Sequence, residues 1–85
     1  MGIAKDFPAN RVIRETTTSN FAEGALLDIP GNPAILSGHY VFLYNGQAMK
    51  EGAEDDYTID NPSTGVLKLN FAIRVGSNLT HLLLI

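Results

Sequence analysis

Cysteine is absent from the 85 residues, which removes disulfide staples, thiolate nucleophiles and every cysteine-ligated metal site. Basic residues are scarce: six Lys and Arg stand against nine Asp and Glu, for a net charge of −3. Such a balance offers no electrostatic footprint for a phosphate backbone, so no nucleic-acid partner is expected. Long apolar runs are missing as well. Leu82 to Ile85 is apolar but falls far short of the roughly 18 residues of a membrane span, and no membrane association is expected. Met1 to Ala9 carries Lys5, Asp6 and Pro8 and lacks the apolar run of a secretory signal. The expectation is a soluble protein made in the cytosol.

What is present describes a folded domain. Hydrophobic residues make up 45% and charged residues 18%, the balance of a chain that buries a core rather than one that stays disordered. A domain this small hides only roughly 60% of its unfolded surface, so assembly with other chains is an expected source of stability. Gly, Pro, Asn and Asp recur from Pro8 to Asn78, leaving few windows long enough for a helix and many that suit short strands.

Seven windows read as strands. Arg11 to Thr18 is rich in β-branched residues, which fit a pleated surface. Ala25 to Ile29 is stopped by Pro30, and Pro30-Gly31-Asn32-Pro33 is a turn. Between them, Ser19 followed by Phe21, Ala22 and Glu23 could form a single helical turn. Tyr40 to Tyr44 places Tyr40, Phe42 and Tyr44 on one face and Val41 and Leu43 on the other, the pattern of a central strand covered on both faces. Asn45-Gly46 follows directly and supplies the two positive φ angles of a type I′ hairpin turn. Gln47 to Lys50 returns, Gly52 to Asp56 is an acidic loop, and Tyr57 to Ile59 is the next strand. Val66 to Ile73 alternates, with Leu67, Leu69, Phe71 and Ile73 facing inward. Asn78 to Ile85 is last, and because both its faces are apolar it should be paired inside a sheet or against another subunit. The fold class is all-β: a small antiparallel β-sandwich or β-meander of about six or seven short strands. Residues 1–18 form an extended N-terminal arm and first strand, and residues 19–85 the sandwich of a single domain.

No catalytic constellation emerges. His39 and His81 lie far apart without metal-motif spacing, and neither has an identifiable orienting partner for base catalysis. His81, on an apolar strand, reads as a hydrogen-bonded structural histidine. Glu51, Glu54, Asp55, Asp56 and Asp60 form the densest carboxylate cluster, but not in the register of a calcium loop, and read as a solvated acidic loop. The glycines are spaced for turns, not for a phosphate loop. Tyr40, Phe42, Tyr44 and Tyr57 read as core rather than as a stacking platform, which normally accompanies a basic groove. No enzymatic activity, cofactor or metal is expected.

Val41-Phe42-Leu43-Tyr44-Asn45-Gly46-Gln47, then Gly52 and Asp56-Tyr57-Thr58-Ile59, then Leu67-Lys68-Leu69-Asn70-Phe71 and Gly76-Ser77 form a pattern that covers about half the chain. It resembles the small β-module repeated in tail-fibre, tail-appendage and head-decoration proteins of tailed bacteriophages. It departs from that module at Tyr44, inserted before the Asn-Gly pair, and at Arg74-Val75, where a proline-containing turn is expected. The resemblance implies a virion structural protein. A module that makes up nearly the whole chain, preceded by an arm, suits decoration of a capsid lattice, with a tail or connector adaptor, in contact with a receptor or glycan, as the alternative. The implied partners are the major capsid protein or other virion proteins and further copies of the chain, a trimer by analogy with virion fibres. Candidate interface residues are Phe7, Arg11, Arg14, Tyr40, Tyr44, Leu82, Leu84 and Ile85.

Overall fold

The computed structural model describes residues 11–84. Phe7, Ile85 and residues 1–10 of the expected arm lie outside the described residues. Seven strands follow in chain order: β1 (Arg11–Thr16), β2 (Leu26–Asp28), β3 (Tyr40–Tyr44), β4 (Gln47–Ala48), β5 (Tyr57–Asn61), β6 (Val66–Leu69) and β7 (Asn78–Leu83). No helix occurs among the described residues.

The strands form a four-stranded sheet, β1-β7-β3-β4, and a three-stranded sheet, β2-β6-β5, with every strand pair antiparallel. Because β7 lies between β1 and β3, the chain is a sandwich rather than a meander. This placement also answers the demand of the apolar last strand, which is paired on both edges within its own sheet.

Local chemistry fixes the hairpins. Asn45 has φ 49° and Gly46 φ 85°, the primed-turn geometry that lets Tyr44 face Gln47 in the β3–β4 register. Asn45 is further tied to the start of β7, its Oδ1 accepting the Asn78 N–H at 2.8 Å. The Pro30–Pro33 turn is stitched to the β5–β6 hairpin by the Ile29 N–H donating to Gly65 O at 2.9 Å and the Ile35 N–H donating to Pro62 O at 2.8 Å. Gly65 permits this approach: its φ is +67°, and a Cβ there would fall 2.5 Å from the Pro33 carbonyl oxygen.

Alternation along the strands sends Tyr40, Phe42, Leu79, His81 and Leu83 of the larger sheet inward to meet Leu27, Tyr57, Leu67 and Leu69 of the smaller one. Tyr57 is the aromatic bridge between sheets. Its ring stands edge-on to Phe42 at 5.5 Å and to Tyr40 at 6.0 Å, the arrangement favoured by ring quadrupoles.

Three sequence expectations change. The helical turn at Ser19 to Glu23 does not form: Phe21 instead exchanges backbone hydrogen bonds with Ile73 at 2.8 and 2.9 Å. That bridge gives Phe21 a tertiary partner no isolated helical turn offers. The strand expected over Val66 to Ile73 stops at Leu69. There the Asn70 N–H still bonds Asp56 O at 2.9 Å, while its side-chain amide donates to the carbonyls of Gly52 at 3.3 Å and Asp55 at 3.0 Å and ties the strand end to the acidic loop. Finally, β3 is covered on one face only, and Val41 and Leu43 stay half-buried on the other.

Candidate functional site

Three features could carry chemistry or contact: a polar chain inside the sandwich, the outer face of the four-stranded sheet, and a groove at one end.

The polar chain runs Tyr40–His81–Glu15. The Tyr40 hydroxyl lies 2.6 Å from His81 Nδ1, and His81 Nε2 lies 2.7 Å from Glu15 Oε2. A carboxylate only accepts, so Nε2 carries the ring proton and Nδ1 accepts from the phenol. Burial, and then the neighbouring Tyr57 and Glu15, push the Tyr40 phenol far above its ordinary pKa, which keeps it a donor. The His81 ring is fully buried and stacks on Phe42 at 5.5 Å with planes 4° apart. With no path for a substrate to its nitrogens, the chain of groups works as a clasp. Glu15 on β1 is held to β7 by its side chain as well as by the ladder. Every buried side-chain nitrogen and oxygen among the described residues has a hydrogen-bond partner.

The outer face carries one apolar row where a solvent-facing sheet is ordinarily polar. In register across the sheet lie Val12 opposite Leu82 and Leu82 opposite Val41. The next row sets Arg14, Thr80, Leu43 and Ala48 side by side. Val12 is 50% exposed, and Leu82, Val41 and Leu43 are half-buried. Three β-branched or leucine side chains in one cross-strand row form a continuous strip.

At the end of the sandwich where β1 begins, Arg11, Ala34, Leu36, His39 and Leu84 line a groove of about 500 Å³ over Ile35 and Leu83. Leu36 is the most exposed large apolar side chain among the described residues, at 62%. Its lining is mainly apolar, with one guanidinium and one imidazole for polar contacts.

The acidic loop is engaged with itself. Asp56 Oδ2 accepts the Lys50 N–H at 2.8 Å, Glu51 accepts the Ser37 hydroxyl at 3.0 and 3.1 Å, and Asp55 approaches Lys50 Nζ at 3.9 Å. No group of three or more metal-ligating side chains comes together among the described residues.

The candidate interface residues separate accordingly. Arg11 and Leu84 meet at the groove, and Arg14 and Leu82 share the outer face. Tyr40 requires a correction: it is buried, because it shares the inward face of β3 with Phe42 and gives its hydroxyl to His81. Tyr44, on the same face, packs half-buried against Phe71 with ring centres 5.2 Å apart. Sequence reading missed Val12, Val41 and Leu43 on the outer face and Leu36 at the groove. The alternation of β1 and β3 contained the first three, but only the position of β7 shows that they adjoin.

The chain matches no protein-family model, no curated protein and no solved structure.

Proposed function

We propose that the chain is a structural protein of a tailed-phage virion, a decoration protein that sets the outer face of its four-stranded sheet on the major capsid lattice. The observation that carries this reading is the in-register apolar row Val12–Leu82–Val41. A strip of this kind on a solvent-facing sheet is a surface for contact. It lies on the strand Tyr40–Tyr44 whose Asn-Gly ending resembles the phage module. Arg14 beside the row supplies a cation for an acidic lattice surface.

Purified particles imaged with and without the protein test the proposal. Density over the outside of the capsid, with earlier loss of genome on heating once the protein is removed, is the expected result. Density confined to the tail would overturn it in favour of the adaptor reading.

A further inference from the structure

Four strands end the two sheets: β1 and β4 in the larger, β2 and β5 in the smaller. An edge presents unpaired N–H and C=O groups and accepts another strand unless it is short, bulged or blocked by proline. β4 has two residues and β2 three. β5 is irregular between Ile59 and Asn61 and runs into Pro62. β1 differs: its six residues keep unbroken register with β7 and include neither proline nor glycine.

The hydrogen bonds show which groups β1 leaves open. Leu84 donates to His39 O and Asn45 to Asn78 O, so the even-numbered residues of β7 bond to β3. Its odd-numbered residues, Leu79, His81 and Leu83, therefore turn to Glu15, Ile13 and Arg11 of β1, as the Thr17 N–H donating to Ser77 O continues. Val12, Arg14 and Thr16 direct their N–H and C=O groups to the edge, which no strand among the described residues covers.

We propose that this edge pairs with the same edge of a second copy, antiparallel about a two-fold axis at Ile13. The larger sheets of the two copies then form one continuous sheet. Opposed residues must share a face, which leaves few registers. Centred on Ile13, Arg11 of each copy faces Glu15 of the other, and Val12 exchanges both backbone bonds with Arg14 of the other. Centring on Arg14 would set two guanidiniums against each other, and centring on Val12 pairs no opposite charges within Arg11–Thr16. The favoured register also lays the Arg14 stem over the half-exposed Val12. A two-fold contact uses one edge twice, whereas a closed trimer needs two different complementary edges, and the other three are short or irregular. The inference stands on this edge alone, independently of where the protein sits on a particle.

The cysteine-free chain permits a clean test. In the proposed register Ile13 opposes itself in a non-hydrogen-bonded pair with Cα atoms about 4.5 Å apart, within the span of a disulfide. Ile13→Cys should cross-link to a dimer on mild oxidation. Light scattering should give the wild-type chain twice its monomer mass. Arg14→Pro, which removes an edge-facing N–H and the Arg14 side chain but no bond to β7, should halve that mass and leave the far-UV circular dichroism spectrum unchanged. A monomeric or trimeric wild-type mass would overturn the proposal, as would an Ile13→Cys chain that melts like wild type and does not cross-link.

Discussion

Two adjacent rows cross the same three strands with opposite contents. The inner row is Ile13–His81–Phe42, and the outer row is Val12–Leu82–Val41. In most half-solvated sheets the inner row is the apolar one and the outer row is polar. Here a histidine occupies the centre of the interior while valines and leucine face out. The difference separates two tasks. The inner row fixes the fold, through packing and a fully satisfied polar chain, and the outer row is the face the proposed function sets on a partner.

The largest expected effect breaks the inner row. His81→Leu strands the Tyr40 hydroxyl and the Glu15 carboxylate, whose side chain is only 22% exposed, and should cost about 3 kcal/mol in urea unfolding. Replacing all three members, with Tyr40→Phe and Glu15→Leu added, should recover most of that loss, because no buried polar group is then left alone. A triple variant no more stable than His81→Leu would show that the ring's stacking on Phe42, not the polar chain, holds the row.

A smaller effect comes from alkali. Burial, and then the Glu51 carboxylate, push the Tyr57 phenol up from 10.0 to about 12, and Tyr40 is raised further. The folded chain therefore retains phenolic protons that the unfolded chain releases above pH 10. The full contribution is present below that value and is lost as pH rises toward 12 and beyond. Melting temperature followed by circular dichroism should be flat with respect to these groups below pH 10 and fall above it. Retention of the neutral-pH melting temperature at pH 12 would contradict the buried-phenol arrangement.

The smallest effect on stability belongs to the outer row. Leu82→Thr puts a β-branched strand former in place of leucine and should change unfolding free energy by less than about 1 kcal/mol, yet it should sharply reduce binding to particles in a co-sedimentation assay. If stability instead falls as far as it does for His81→Leu, the two rows do not divide their tasks as argued.

Much of this arrangement was legible in the sequence, and the limits are physical. Asn45-Gly46 announced its hairpin because a type I′ turn depends on two adjacent residues. His81 read as a hydrogen-bonded structural histidine, inward or at an interface, and the structure buries it with both ring nitrogens bonded. Tyr40, Phe42 and Tyr44 were grouped correctly on one face and read as core, yet Tyr40 was also set at an interface, because with both faces of β3 apolar alternation alone does not say which is buried. That required its partner His81, 41 residues away. The Glu15–His81 bond spans 66 residues, and no local period encodes it. The end of β6 at Leu69 was hidden for a related reason, since the Asn70 side chain bonds carbonyls 15 and 18 residues away in another loop.

The position of β7 also sets an order of events during synthesis. β1 and β3 do not pair with each other: until residues 78–83 are present β1 has no strand partner and β3 has only the two-residue β4. A chain still short of Asn78 can close the β5–β6 hairpin and add β2, but Ile13 and Phe42 have no strand between them. The larger sheet therefore closes late, through contacts of long sequence separation, and its folding rate is set by that search. Until β7 emerges, the nascent chain carries an open slot one strand wide, the interval in which a chaperone or a misplaced strand would find it.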